Sequence, residues 1–359
     1  MISGNSNKKN NHLTKIVGYS LPFFITLLFL FFAFRNIDLK ASFAYILNSS
    51  IPAIFLYILV YLASHIARAL RWKYMFKSIK PDVSFFHLFG SVMVGYGVSC
   101  VIPRLGELYR GLFLGRWEGI SRSTVIGTIV VERIIDVAAF LIAALIGIYI
   151  YSGDILNAIV WLKASIIIGV IIIAAATLFL ILLILFKEKV SGVLVRICEK
   201  FSKRLAGRLS GIFDTLVEGL NSIRGTKNIL AILVWTAIII LLYALNAYVG
   251  FFTIGLQTKG NVNFQLAFIL MTISSFGVMI PTPGGTGPYH IISIFVLTHL
   301  YGFDYISSAA YSILTHFVSY IGFIISTIIV VYIVNKQRER QGLNKETFFS
   351  VFKVNPADK

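Results

Sequence analysis

The chain has 359 residues, of which 57% are hydrophobic and only 13% charged; 32 basic side chains face 15 acidic ones, a formal charge of +17. A soluble domain needs about 25% charged residues to cover its surface, and a disordered chain is poor in apolar residues, so both classes are excluded. With a mean hydropathy of +0.85, the composition fits an all-α integral membrane bundle whose basic residues sit between apolar runs, where they favour no nucleic acid as partner.

The first uncharged run, Ile16–Phe34, follows a polar tail carrying Lys8, Lys9 and Lys15. It is too long for the apolar part of a signal peptide, and no small-residue cleavage site follows it. It reads as a retained first span. Further uncharged runs are Ile51–Ala67, Val83–Pro103, Val137–Gly153, Ala164–Phe186, Asn228–Thr258, Gly260–Phe303 and Tyr305–Asn335. A membrane helix needs about 20 such residues, so the runs predict about six to eight spans in one membrane domain, residues 1–335.

The basic residues then set orientation. Arg68, Arg71, Lys73, Lys77 and Lys80 follow the second run, and Arg104, Arg110, Arg116 and Arg122 follow the third. Nine basic residues lie in 187–228, and the tail 336–359 is basic as well. All these segments, and both termini, are expected on the cytoplasmic side of a plasma (inner) membrane. That requires Val83–Pro103 to dip in and return. It also requires Gly260–Phe303 to start and finish outside. Pro281-Thr282-Pro283-Gly284-Gly285-Thr286-Gly287-Pro288 breaks the latter near its middle, where Pro and Gly end one helix and open another. One interrupted apolar segment in each half, in opposite orientation, is the pattern of inverted repeats in transporters. Ile102-Pro103 with Gly106 and Ile280-Pro281 with Gly284 echo each other weakly.

Between 188 and 226 apolar residues recur every three to four positions, from Val190 to Leu220, with basic residues on the other face. This predicts an amphipathic cytoplasmic surface helix, held by anionic lipid or packed on the bundle. The tail after Asn335 is too short for a further soluble domain.

Ionisable residues at membrane depth are costly and point to function. Arg104, Glu107 and Arg110 follow Pro103 and, in a helix, share a face. Their guanidinium groups suit phosphate, because the fork donates two parallel hydrogen bonds; an ordinary loop salt bridge would leave the same trace. Glu132, Arg133 and Asp136 sit inside continuing apolar sequence. The two clusters sum to zero charge, which a buried network tolerates better than single charges, whether it serves binding or helix packing. The third candidate is the Pro281–Gly287 break, with Pro283, Gly284 and Gly285. The helix restarting at Pro288 turns its positive end toward the break and would attract an anionic head group. His290 lies in its first turn, either packed or carrying a proton. Cys100 and Cys198 form no disulfide framework or ligand spacing, and no histidine motif implies a metal; no cofactor is expected.

Taken in order, Ile102–Arg110, Val131–Asp136 and Pro281–Gly287 resemble the lysylphosphatidylglycerol synthase transmembrane-region family. The resemblance spans the membrane region. It implies a polytopic fold with re-entrant or broken helices that handles lipid, as the flippase half of multiple-peptide-resistance proteins does. The soluble domain that performs aminoacyl transfer in fused members has no counterpart here, so synthase activity is not carried over. Many members have an acidic residue where this chain has His290, so the resemblance does not carry over the same cationic head group. The expected function is a flippase for an anionic phospholipid or a polyisoprenyl-phosphate-linked lipid. The alternatives are a membrane transferase with Glu132 or Asp136 as general base, or an accessory subunit of an envelope lipid or glycan pathway. An enzyme is the less favoured reading. Partners would be membrane lipids, with a homo-oligomer or an envelope-synthesis complex compatible with the sequence.

Overall fold

The computed structural model describes residues 24–35, 37–151, 153, 160–185 and 226–352. Among them every regular element is helical. In chain order these are α1 (Phe24–Phe34), α2 (Leu39–Leu47), α3 (Ile51–Phe76), α4 (Phe85–Val101), α5 (Leu105–Glu118) and α6 (Arg122–Ile150). Then come α7 (Val160–Leu185), α8 (Thr226–Thr253), α9 (Phe264–Val278), α10 (Pro288–Phe295, continued by a π-helical turn to Leu300) and α11 (Tyr305–Arg340). Short 3-10 turns occupy Leu256–Thr258, Pro283–Gly285 and Ser350–Phe352. Local chemistry sets several starts. The side chains of Asp38, Ser121 and Asn263 accept from backbone N–H groups three residues on, at 3.0, 3.2 and 2.8 Å, which satisfies donors that the first turn leaves free.

Among the described residues, α3, α8 and α11 are long and apolar enough to cross a membrane, and α4 and α9 are shorter apolar helices. The protein is a polytopic helical membrane protein. Residues 188–225 of the expected amphipathic helix and residues 16–23 of the first span lie outside the described residues.

The described residues gather into two compact units, whose division falls within α3, α4, α5, α8 and α11. Unit 1 takes residues up to 61, 95–106 and 244–327; unit 2 takes 62–94, 107–243 and 328 onward.

In unit 1, the end of α4 turns through Ile102–Arg104 and meets the start of α5 at very close range. A Cβ on Gly106 would stand 1.9 Å from the Gly95 carbonyl oxygen and 2.1 Å from Ser99 Oγ, so only glycine permits this approach. α9 and α10 form a second tight pair, where a Cβ on Gly277 would lie 3.0 Å from the Pro288 carbonyl. The Tyr57 hydroxyl on α3 donates to the Thr315 carbonyl of α11 at 3.2 Å. Tyr311 of α11 donates to the Ala247 carbonyl of α8 at 3.1 Å.

In unit 2, the entry of α4 meets the exit of α5. Glu118 accepts from the Ser84 N–H at 3.1 Å, pairs with Lys80 at 2.7 Å and contacts His87. Burial works against the charge of Glu118. The bonds from His87, Lys80 and the Ser84 N–H overcome it and hold the carboxyl down to about 2. With both ends of α4 and α5 in contact, the pair doubles back. α9 and α10 do the same around the Pro–Gly break. The element order therefore reads long helix, hairpin, long helix twice: α3, α4–α5, α6, and then α8, α9–α10, α11.

After α11, residues 343–352 return over unit 2. Glu346, 2% exposed, accepts from Arg116 of α5 at 2.9 Å and from Arg338 of α11 at 3.0 Å. Phe348 and Phe352 pack edge-on against Tyr109 and Phe113 of α5. The tail beyond Asn335 thus begins as helix and continues as an anchored strap.

Candidate functional site

The sequence gathered the candidate residues into two charged clusters and one break. The structure divides them otherwise. Glu107, Arg110, Glu132, Arg133 and Asp136 lie in unit 2. Arg104, Pro281, Pro283, Gly284, Gly285, Gly287 and His290 lie in unit 1.

In unit 2 the centre is Glu132 on α6, which is fully buried. Glu132, Arg133 and Asp136 lie in one continuous helix, α6, with Ser123–Val131 before them and apolar sequence from Val137 to Ile150 after them. One Glu132 oxygen accepts from Arg68 at 2.6 Å, Arg71 at 3.0 Å and Arg133 at 3.0 Å. The other accepts from Arg110 at 2.6 Å. Asp136, one helical turn on, pairs with Arg68 at 2.8 Å, Arg71 at 2.6 Å and Arg133 at 2.9 Å. Glu107 reaches Arg133 at 3.3 Å and, more loosely, Arg110 at 3.9 Å. Neutral partners complete the cage. Tyr243 of α8 accepts from Arg68 at 3.0 Å, Thr236 accepts from Arg71 at 3.2 Å, and Arg110 lies 3.7 Å over the Trp72 ring. Trp72 is fixed in turn by donating to Thr128 at 3.0 Å.

Three features differ from the sequence reading. First, α3 runs nine residues past the apolar run that ends at Ala67, and carries Arg68 and Arg71 into the core at 3% and 0% exposure. Their assignment to a cytoplasmic loop is corrected. Their three-residue spacing places both on one face, adjacent to the apolar face of the run, and this was the available signal. Second, Arg104 is not on the α5 face with Glu107 and Arg110. It stands in the turn before α5 with φ 63, the only described non-glycine residue with positive φ. There it donates to the Met279 carbonyl at 3.3 Å. A left-handed arginine costs about 1–2 kcal/mol, and it occurs at this break. Third, the cluster is not neutral. Among the described residues, four guanidinium groups, Arg68, Arg71, Arg110 and Arg133, meet three carboxylates, Glu107, Glu132 and Asp136. One positive charge is left over. The inner members are sealed, whereas the Arg133 and Glu107 side chains are 39% and 42% exposed. The exposed edge of the network in unit 2 is thus this Arg133–Glu107 pair, 3.3 Å apart.

In unit 1 the Pro–Gly break runs from Met279 to Gly287. Gly284, Gly285 and Gly287 have φ of 58, 76 and 97, values that favour glycine. Space also demands it at Gly284, where a Cβ would stand 2.7 Å from the Tyr320 ring. Pro288 opens α10 without needing the N–H it lacks. Thr282 is 4% exposed and its hydroxyl has no hydrogen-bond partner. His290 is packed, and its Nδ1 accepts from the Gly287 N–H at 3.2 Å. His316 of α11 donates from Nε2 to the Gly284 carbonyl at 3.0 Å. His316 was not among the sequence candidates, because a lone histidine in an apolar run carries no spacing signal. Among the described residues no group of three His, Cys, Asp or Glu side chains is placed to hold a metal ion.

Paired broken hairpins and a charged network between apolar helices are the features of a polytopic helical membrane protein. The family model of the lysylphosphatidylglycerol synthase TM region matches residues 19–326, and the chain belongs to that family. A UPF0104 membrane protein of Methanocaldococcus jannaschii is 24% identical over 86% of this chain and 92% of its own length. A second from that organism is 30% identical over 69% of this chain and 98% of its own. A UPF0104 membrane protein of Methanothermobacter thermautotrophicus is 26% identical over 61% of this chain and 67% of its own length. No solved structure matches.

Proposed function

We propose that the protein is a lipid flippase of the plasma membrane. Its substrate would be an anionic phospholipid or a polyisoprenyl-phosphate-linked lipid. The observation that carries this reading is that, among the described residues, four guanidinium groups of the Arg68–Asp136 network meet three carboxylates, with Arg133 39% exposed at its edge. A buried cluster with equal charges needs no ligand, but one extra cation at a low-dielectric edge attracts an anion. A phosphate monoester or diester fits, because a guanidinium donates to it bidentately. The lipid tails would stay in the bilayer while the head group pairs with Arg133. The glycine break in unit 1 supplies a conformationally free backbone of the kind that transporters place where a substrate passes. No nucleotide-binding motif is present in the sequence, so movement in this reading is passive or ion-coupled. This reading keeps both termini on the cytoplasmic side, as the basic segments favour.

The transferase alternative asks Glu132 or Asp136 to accept a proton. Both Glu132 oxygens already accept guanidinium donors, from four arginines in all. A carboxylate held in this way is a weak base, which favours transport over group transfer. Native mass spectrometry of the purified protein tests the binding half of the proposal. The protein is expected to retain phosphatidylglycerol in preference to phosphatidylcholine, and Arg133→Gln is expected to lose that preference. Equal retention of both lipids by the wild type would remove the basis for an anion site.

A further inference from the structure

Within unit 1 two imidazoles, His290 on α10 and His316 on α11, meet at the Pro–Gly break. The ring centroids are 4.7 Å apart, and His290 is 5% exposed. Each ring holds one side of the Pro–Gly break, and the two do so in opposite chemical roles. The Gly287 N–H can only donate, so His290 Nδ1, at 3.2 Å, must present a lone pair. The Gly284 carbonyl can only accept, so His316 Nε2, at 3.0 Å, must carry a proton. Between these two grips the chain passes through the left-handed positions Gly284, Gly285 and Gly287.

An imidazolium has two N–H donors and no acceptor. A proton on His290 Nδ1 would set N–H against N–H at Gly287 and undo that grip. The resulting cation would also face the second imidazole at 4.7 Å, so the pair takes one proton rather than two. The surroundings offer no anion to stabilise it in place. His290 faces Phe34 of α1 and Tyr289 of its own helix, while His316 faces Tyr289 and Tyr320. Tyr320 donates to the Cys100 carbonyl of α4, and the nearest guanidinium in the break, Arg104, sits on the Met279 carbonyl. The carboxylates of unit 1 among the described residues are Asp38, which accepts from the Ala41 N–H, and Asp304, engaged by Lys259 and Ser307. The conformation described here therefore excludes the proton. A conformation in which Gly287 lets go of Nδ1 accepts it, and by linkage the proton favours that second state.

We infer that the His290–His316 pair is a proton-binding site that releases the Pro–Gly break when one proton enters, and that the proton is the coupling ion for lipid movement. The coupling role rests on the flippase reading, whereas the proton-operated release of the break does not.

Hydrogen exchange of the backbone amides of residues 284–291 tests the release. The probe is the full-length protein in detergent micelles, from about pH 8 to about pH 5, the range in which imidazoles titrate. Rates are corrected for the intrinsic pH dependence of exchange. Wild-type protection is expected to fall with acid, by at most about tenfold per pH unit, the limit for one linked proton. His290→Asn keeps a side-chain oxygen that can accept from Gly287 but cannot take a proton, so its protection should stay flat. His316→Gln keeps an N–H for the Gly284 carbonyl and should retain the fall. Flat protection in the wild type overturns the inference, and this arm decides alone if His290→Asn does not fold. A fall in His290→Asn equal to that of the wild type overturns it too. In liposomes, an imposed proton gradient should speed lipid movement by the wild type and not by His290→Asn. Movement indifferent to the gradient overturns the coupling role, whereas no movement under any condition overturns the flippase reading and leaves the exchange result standing.

Discussion

Glu132→Gln is the most informative single change in unit 2. The side chain keeps its size and one acceptor oxygen, but its charge is lost. Four arginines then face only Glu107 and Asp136, and the surplus rises from one positive charge to two. Three of those arginines, Arg68, Arg71 and Arg110, are at most 3% exposed, so water cannot compensate. Removing one partner of a buried pair costs about 3–5 kcal/mol. With an unfolding entropy of about 2.1 cal/mol/K per residue, a chain of 359 residues loses about 1.3 °C per kcal/mol. The midpoint should therefore drop by about 4–7 °C. Tryptophan fluorescence in detergent micelles reports this directly, because Trp72 lies 3.7 Å beneath Arg110. The emission of Trp72 should also shift in the folded variant as its guanidinium partner is released from Glu132. A variant that melts within a degree of the wild type would refute the claim that Glu132 anchors the network.

Two further outcomes test the frame around the network. Gly106→Ala places a methyl group 1.9 Å from the Gly95 carbonyl oxygen; forcing α4 and α5 apart should cost about 3 kcal/mol, read as lower folded yield and a lower melting midpoint. Glu118 has its carboxyl lowered from 4.5 to about 2, so its contribution is full above pH 4.5 and is lost as pH falls toward 2. The midpoint difference between the wild type and Glu118→Gln should shrink over that interval, and a difference that persists unchanged to pH 2 would contradict the assigned bonds.

Much of the fold was legible because membrane helices announce themselves by length and by the absence of charge. The interruptions at Pro103 and Pro281 were legible for a related reason: proline and glycine interrupt a helix whatever surrounds it. The charged network was only half legible. Glu132 and Asp136 stood out because apolar sequence continued on both sides of them. Arg68 and Arg71 did not, because a basic residue just after an apolar run is the ordinary mark of a cytoplasmic loop. The helix of α3 simply continues, and the two arginines turn inward toward carboxylates more than sixty positions away. No local pattern encodes such a partner. Arg104 misled in the opposite sense. Its spacing to Glu107 and Arg110 is helical, but helix α5 begins one residue later, and the arginine belongs to the turn. His316 was invisible for want of any spacing, and became meaningful only when the break folded against it.

The central claim is that the exposed edge of the arginine network handles an anionic head group during transbilayer movement. Its most direct measurement is the exchange of fluorescent phosphatidylglycerol and of a polyisoprenyl phosphate between leaflets of liposomes, with and without an ion gradient, for the wild type and Arg133→Gln. Arg133 is 39% exposed but bonds the buried Glu132 and Asp136, so the thermal midpoint of the variant is measured beside its transport to establish that a folded protein is compared. The account predicts that the wild type moves at least one of these phosphate-bearing lipids and that Arg133→Gln moves it markedly more slowly. A wild type that moves neither lipid, or an Arg133→Gln variant that moves them equally fast, would contradict it.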